Sequence, residues 1–184
     1  MLRRAAFVAL VVSLAACSER APDPPAPEAP EAEAPEAPEA PGPGVSVDEL
    51  LESREDYAAV LARLGPPREE TAEPIENMHV EGQQDLVRTY VFDGLRIETY
   101  EVAGGPTLVR EVEATDPRFR SAEGVGPGVP RAAIEGALGP PVDEAIDGPY
   151  YEIRKFPDDP TPIRVHVVYD GETARKVTWY PYID

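Results

Sequence analysis

The sequence predicts an α+β fold of two tandem units, each with a short helix or helices and a three-stranded antiparallel β-meander. Three observations lead to this prediction. Helical patterns end at Leu-Gly-Pro-Pro in two places, at Gly65 and at Gly139. Each is followed by runs rich in β-branched and aromatic residues, which are typical of strands. An aromatic-Asp-Gly turn signal then occurs in each half, at Asp93 and at Asp170.

These matched signals indicate an internal duplication, and they set the predicted boundaries. Residues 1–16 are assigned to a signal peptide and residues 17–45 to a disordered tether rich in proline, alanine and glutamate. The first unit is assigned to residues 46–120 and the second to residues 121–184. The two units together are long enough to bury a hydrophobic core.

The chain begins with a pattern typical of a secretory signal. Arg3 and Arg4 precede an apolar run from Ala5 to Ala16. A basic start, a short apolar core and small residues at its end are the parts of such a signal. The run is shorter than the ~20 residues that a membrane span needs, so we expect cleavage rather than retention as a span.

Leu14–Cys17 reads Leu-Ala-Ala-Cys and resembles the lipobox of bacterial lipoproteins; Cys17 is the single cysteine of the chain. The resemblance implies cleavage between Ala16 and Cys17, and fatty acylation of the thiol and of the new amino group. Since about two acyl chains give stable anchoring, such a lipid, of the palmitate type, would hold the protein on a membrane. Ser18 in that family implies the outer membrane, facing the periplasm of a Gram-negative bacterium. The alternative fate of a lone cysteine is a buried free thiol.

The tether predicted after the cysteine repeats proline, alanine and glutamate from Ala21 to Gly44. It has no aromatic or large aliphatic residue, so burial cannot offset the entropy cost of ordering it. We expect a semi-rigid spacer of roughly 70–80 Å when extended, at ~3.1 Å per residue. A proline-rich ligand for a recognition domain is the alternative.

The net charge of the chain is -18. An acidic surface repels phosphate backbones, which argues against nucleic-acid binding. It also argues against direct adsorption to anionic lipid headgroups, so that a membrane association depends on the acyl lipid.

The first unit begins with a capping box, in which Ser46 is the N-cap and Glu49 occupies the third helical position. A second helix is predicted from an apolar stripe that ends at Leu64, because Gly65 and the prolines after it stop a helix. The stripe consists of Tyr57, Val60, Leu61 and Leu64. Three strands are then predicted, at Leu86–Phe92, Leu95–Val102 and Thr107–Ala114.

The second unit repeats this order. Pro130 is well placed at the start of a helix whose apolar stripe is Ala133, Ile134, Ala137 and Leu138. Strand patterns follow at Tyr150–Phe156, Pro162–Tyr169 and Thr173–Tyr180.

Two features together resemble a known family. They are a short helix that is introduced by Gly126–Val129 and ends in Leu-Gly-Pro-Pro, and a meander with an aromatic-Asp-Gly turn. The family that they resemble is the small outer-membrane lipoprotein of the β-barrel assembly machinery, of the SmpA/OmlA type. The tandem doubling is similar to secreted β-lactamase inhibitory protein. Val129-Pro130 stands where the family has a Ser or Thr cap. The resemblance implies an envelope-assembly or enzyme-inhibiting role.

No catalytic or metal site is expected from the sequence. His79 and His166 are isolated from other soft ligands, and we expect both to be solvated. Asp93 and Asp170 belong to Asp-Gly turns, where their backbone preference accounts for them. No cofactor is expected besides the covalent lipid on Cys17.

Tyrosines near the end of the chain are the candidate protein-binding residues. Tyr150, Tyr151, Tyr180 and Tyr182 are predicted to form an exposed patch, because tyrosine is enriched at protein interfaces. Trp179 is predicted to lie in the core, on the strand face opposite Tyr180.

The function predicted from the sequence is that of a membrane-anchored periplasmic lipoprotein, a monomer, which acts as a non-catalytic protein-binding or envelope-assembly module. Its partners are expected to be envelope proteins of unknown identity. One alternative is an inhibitor of an envelope or secreted hydrolase, with the acidic pair Asp158-Asp159 placed in a basic active site. A second alternative is a hydrolase that uses carboxylates.

Overall fold

A computed structural model describes residues 45–52, 56–153 and 161–181 of the chain. The helices in this part are α1 (Val47–Leu50), α2 (Tyr57–Arg63) and α3 (Arg131–Leu138). The strands are β1 (Glu69–Glu76), β2 (Gln84–Phe92), β3 (Leu95–Glu101), β4 (Thr107–Ala114), β5 (Asp143–Ala145), β6 (Gly148–Ile153), β7 (Ile163–Asp170) and β8 (Thr173–Tyr180). The predicted signal peptide, the lipidation site and nearly all of the predicted tether lie outside the described residues.

All eight strands belong to one antiparallel sheet, in the order β1-β2-β3-β4-β8-β7-β6-β5. The predicted fold class is therefore wrong, because the protein is not built from helix units that each carry a three-stranded meander. The sheet is continuous where β4 pairs with β8, for instance through Val112 and Trp179. Pairing of distant strands is not visible in local sequence patterns, and this is why the single sheet was missed.

The two edge strands were also missed. Strand β1 is exposed at every position, carries four glutamates and contains Pro74. Strand β5 has only three residues, Asp143, Glu144 and Ala145. Such residues have low strand propensity, and proline is tolerated in a sheet mainly at an edge. Both strands thus form through pairing with β2 and β6 rather than through their own preference.

The two Asp-Gly turns occupy different places in the sheet. Asp93-Gly94 joins β2 to β3, whereas Asp170-Gly171 joins β7 to β8. In each case the glycine has a positive φ, of 70° at Gly94 and 57° at Gly171, as the turn prediction requires. Both turns form, but at different points of their runs of four strands. Asp93-Gly94 is the second connection in the run β1–β4, whereas Asp170-Gly171 is the third connection in the run β5–β8. They therefore do not support the duplication as it was inferred.

The predicted cap of α1 is confirmed, as is most of the predicted apolar stripe of α2. The Ser46 hydroxyl accepts a hydrogen bond of 3.1 Å from the backbone N–H of Glu49, which caps α1. In α2, Tyr57, Val60 and Leu61 are buried, as the apolar stripe predicts. The stripe fixes which face of α2 meets the sheet. In α3, by contrast, only Ile134 of the predicted stripe is buried, and Ala133 and Ala137 are exposed.

The core lies between the helices and one face of the sheet. A row of directly paired residues crosses five neighbouring strands, from β3 to β6, and all five side chains are fully buried. The row consists of Ile97, Val112, Trp179, Val165 and Tyr151. These residues form one buried cluster with apolar side chains of all three helices. The predicted core position of Trp179 is confirmed, and the opposite face of the sheet, called the open face below, carries no described helix.

Candidate protein-binding face

Strand alternation decides which side chains lie on the open face. Successive residues of a strand point to opposite sides of the sheet. Tyr150 and Tyr180 each neighbour a residue of the buried row, Tyr151 and Trp179 respectively. His166 likewise follows Val165 and lies opposite Tyr150 in the register. These three aromatic side chains therefore share the open face.

Tyr150, His166, Tyr180 and Arg164 form a contiguous group, which we call the tyrosine cluster. The rings of Tyr150 and His166 stack, with centroids 4.5 Å apart and planes 21° apart. The Tyr180 ring lies 6.5 Å from that of Tyr150. The Arg164 guanidinium carbon lies 4.7 Å from the Tyr150 ring centroid, within reach of a cation–π interaction.

The structure brings together only part of the predicted tyrosine patch. Tyr150 and Tyr180 are half-buried and adjacent on the open face. Tyr151 is fully buried, with its hydroxyl 3.0 Å from that of Tyr169, and so does not belong to an exposed patch. Its neighbour Tyr150 occupies the outward position, and alternation places the next residue inside. Tyr182 lies outside the described residues, as do Ala16 and Cys17.

His166 is not solvated, contrary to the prediction. It retains only 5% of its exposure, because the Tyr150 ring covers it. Its Nε2 lies 3.3 Å from a carboxylate oxygen of Asp147, without hydrogen-bond geometry. His79, by contrast, is exposed in the loop between β1 and β2. The sequence pattern showed the face of the strand that carries His166 but not the ring that packs on it.

A ladder of ion pairs runs along the open face beside the tyrosine cluster. Arg96 contacts Glu98 at 2.9 Å and Glu111 at 2.5 Å, and Lys176 contacts Glu113 at 3.0 Å. Burial raises the pKa of the Glu111 carboxyl although Arg96 opposes the shift. These pairs are partly buried but still reach solvent, so we expect each to contribute little to stability and the ladder mainly to set the charge pattern of the face.

Tyr180 connects the ladder to the cluster. Burial, followed by the negative charge of Glu111, raises the pKa of its hydroxyl to about 12. The hydroxyl is therefore neutral at physiological pH and can both donate and accept a hydrogen bond. A side chain that combines an apolar ring with a neutral hydroxyl group is suited to a protein contact.

The carboxylates at the two Asp-Gly turns do not form a catalytic pair. The β2–β3 and β7–β8 connections are separated by about three strand spacings, or ~14 Å. Paired carboxylates in glycosidases lie about 5–9.5 Å apart, so Asp93 and Asp170 are too distant for that chemistry. Asp93 instead contacts Arg68 at 3.0 Å. The pair Asp158-Asp159, on which the inhibitor alternative depended, lies outside the described residues.

The described part of the chain contains no group of three or more His, Cys, Asp or Glu side chains arranged to hold a metal ion. None of its helices has the length and apolar character needed to cross a bilayer.

No family model, curated protein or solved structure matches the chain. The resemblance to the barrel-assembly lipoproteins therefore stays a prediction from the sequence.

Proposed function

We propose that the protein is a non-catalytic protein-binding module of the bacterial envelope and that it contacts its partner through the open face. The observation that carries the proposal is the tyrosine cluster, in which two half-buried tyrosines and Arg164 lie together on a face without a described helix. Tyrosine and arginine are enriched in the energetically important centres of protein interfaces. Stacking restrains these side chains before binding, which lowers the entropy cost of association.

The charge of the chain indicates the kind of partner. With a net charge of -18, the protein favours a partner whose contact surface is basic. Each glutamate of the neighbouring ladder is paired with a cation, so the attraction comes from the acidic excess of the chain as a whole. Barrel-assembly components and a secreted hydrolase are two partners that the sequence resemblance suggests.

The pattern at the start of the chain supports an anchor for this module. A lipidated Cys17 would hold the protein on the outer membrane, and the proline-rich tether would let the domain reach roughly 70–80 Å into the periplasm. In this proposal the domain supplies recognition and the lipid supplies location.

The binding part is tested by affinity capture from detergent-solubilised bacterial envelope with the wild-type chain, Tyr150→Ala and Tyr180→Ala. Tyr150→Phe is the matched control, because it retains the ring that stacks on His166. We expect both alanine variants to lose the captured protein and the phenylalanine variant to retain it. Fluorescence of the buried Trp179 verifies that each variant is folded.

The outcomes of this capture separate the functions. Barrel-assembly components in the bound fraction support an assembly role, and a single soluble hydrolase supports inhibition. Capture that is equally strong with both alanine variants contradicts a contact through the tyrosine cluster.

The anchor is tested by the substitution Cys17→Ser. We expect the variant to leave the membrane fraction and to lose the mass of the acyl chains. A variant that stays with the membrane at unchanged mobility contradicts lipidation at this position.

A further inference from the structure

The loop between β1 and β2, residues 77–83, is fastened to the sheet by one buried carboxylate. Asp85 is only 1% exposed and accepts four hydrogen bonds. The donors are the N–H of Ala103 at 2.9 Å, the Tyr100 hydroxyl at 2.5 Å, the Gln83 amide at 2.8 Å and the Asn77 amide at 2.6 Å. These bonds, that from Ala103 most of all, hold the pKa of the Asp85 carboxyl well below its usual range. The carboxylate thus ties both ends of the loop to β3 and to the residues that follow it.

Asn77 orders the rest of the loop. Its side-chain oxygen accepts hydrogen bonds from the N–H groups of His79 at 2.8 Å and Val80 at 2.9 Å. Its own N–H donates to the carbonyl of Gln83 at 2.9 Å, which closes the loop. A loop held in this way loses little conformational entropy when it binds.

This ordered loop displays apolar side chains to solvent. Met78 is 93% exposed, and Val80 and Ile75 are exposed to nearly half of their surface. Beside Met78 lies a hollow of about 350 Å³ on the open face, with Ile75, Tyr100 and Leu108 among its lining residues. A methionine that projects from an ordered backbone beside a largely apolar hollow offers adaptable apolar contact to a partner.

A second hollow that also borders Met78 is acidic. It is lined by Glu76 and Glu81, together with His79. Within the described part of the chain, neither glutamate has a salt bridge or a hydrogen bond from its side chain. Arg110 also lines the first hollow, but its guanidinium contacts Glu98 at 3.0 Å. The two uncompensated carboxylates therefore complement a cation that follows an apolar side chain.

We propose that the hollow beside Met78 binds a segment of a partner protein in which an apolar side chain is flanked by Lys or Arg. The apolar side chain fills the hollow at Ile75 and Leu108, and the cation lies between Glu76 and Glu81. The inference rests on the proposed protein-binding function only in that the occupant is a protein segment. The surface shares no residue with the tyrosine cluster, so the two proposals fail separately.

The test measures binding of a fluorescein-labelled decapeptide with two leucines, each flanked by lysines, in a glycine-serine background. The full chain carrying Cys17→Ser is titrated into the peptide, and fluorescence anisotropy is recorded. We expect the lysine peptide to bind and the same peptide with glutamates in place of the lysines not to bind. A lysine peptide that does not bind overturns the proposal.

Matched variants separate this surface from general attraction between an acidic protein and a basic peptide. Met78→Ser is expected to weaken binding by about tenfold, through the loss of apolar contact. The double variant Glu76→Gln with Glu81→Gln is expected to weaken it by about fivefold, as for two solvent-exposed ion pairs. Ile146→Ser is the control for Met78, because Ile146 is a fully exposed apolar residue at another hairpin tip. Glu73→Gln with Glu144→Gln, both exposed, is the control of equal charge change.

Controls that weaken binding as much as the test variants overturn the proposal, as does loss of peptide binding on Tyr180→Ala. Two other occupants of the hollow are also measured. A mass by light scattering that falls from dimer to monomer on Met78→Ser assigns the hollow to a second copy of the chain. Displacement of the peptide by decanoate at equal concentration assigns it to an acyl chain. Either result overturns the assignment to a basic and apolar protein segment.

Discussion

Gly148, at the start of β6, provides the sharpest test of the sheet that carries the tyrosine cluster. A Cβ atom at this position would lie 2.0 Å from the carbonyl oxygen of Val167 and 2.9 Å from its carbonyl carbon. Ordinary contacts of a Cβ atom begin near 3.4 Å, so Gly148→Ala requires β6 and β7 to separate by more than 1 Å. Because the atoms in contact belong to the backbone, no side-chain rotation relieves the clash.

The expected cost follows from this geometry. Overpacking of a well-packed region costs about 1–3 kcal/mol, and a clash with an immobile backbone belongs at the upper end, about 3 kcal/mol. For a domain of this size that loss lowers the melting temperature by about 10 °C. Urea denaturation followed by the fluorescence of Trp179 measures the free energy of unfolding, since this is the single tryptophan and it is fully buried. Tyr150, two residues along β6, is also expected to lose its stacking on His166.

Gly136→Ala is the matched control, with the same chemical change and the opposite expected sign. Gly136 lies within α3, and a Cβ atom there would meet nothing within 4 Å. Replacing a helical glycine by alanine is expected to stabilise the protein by about 0.5–1 kcal/mol. If Gly148→Ala changes stability by less than the control does, the pairing of β6 with β7 is wrong, and the position of Tyr150 on the open face is wrong with it.

Three further predictions concern charge and capping. Asp85→Asn is expected to accelerate amide exchange of Val80. Because the pKa of Asp85 is lowered in the fold, the stability that its carboxylate contributes is present above about pH 4 and is lost as the pH falls. Tyr180 is expected to ionise near pH 12 in an absorbance titration, with stability falling between about pH 10 and 12, and Glu111→Gln lowers this pKa. Ser46→Ala removes the cap of α1 and is expected to cost about 1 kcal/mol in urea denaturation. An unchanged value in any of these measurements contradicts the corresponding contact.

Elements that depend on local chemistry could be predicted from the sequence. The bounds of β4 and β8 agree with the predicted runs, Thr107–Ala114 and Thr173–Tyr180. The cap at Ser46 and the stripe from Tyr57 to Leu61 were also found, because each is fixed by residues within one or two helical turns. Side-chain period and capping act over such short distances, and a single sequence shows them.

The arrangement of these elements depends on distant residues and was not found. Nothing near β4 indicates that its partner is β8, since they meet only through the register of Val112 with Trp179. The two Asp-Gly turns suggested that the two halves of the chain correspond to each other, which is wrong. Asp-Gly is favoured in any two-residue hairpin connection, whatever its place in the sheet. A turn signal therefore locates a hairpin and does not identify which hairpin of a fold it is.

In the candidate surfaces, too, residues set by local pattern could be predicted and residues brought together by strand pairing could not. Tyr150 and Tyr180 were predicted from residue type and strand face, but Arg164 and His166 join them only through the register of β6, β7 and β8. The loop at residues 77–83 was missed, although Met78 and Val80 in a polar stretch after Asn77 are a signal for an ordered, apolar loop. Asp85 gives no such signal, because only the structure shows that its carboxylate is buried.

The edges of the sheet are poorly suited to pairing with a strand of another protein. Strand β1 presents charged residues such as Glu69 and Glu73 together with Pro74, and β5 is only three residues long. Charge, proline and short length each oppose the addition of a further strand. Backbone pairing with a partner is therefore disfavoured at both ends of the sheet, whereas side-chain contact on the open face is not.

The distance between the two proposed surfaces constrains the partner further. The β1–β2 loop and the tyrosine cluster are about five strand spacings apart, or ~24 Å. A partner that contacts both is either a folded protein or an extended segment of at least about eight residues, at ~3.3 Å per residue. The two contacts would then act together through a raised effective concentration. Since the sites are more than 10 Å apart, Met78→Ser and Tyr180→Ala should lower the binding free energy additively for a rigid partner that contacts both. If one of the two variants has no effect on such a partner, that surface lies outside the interface.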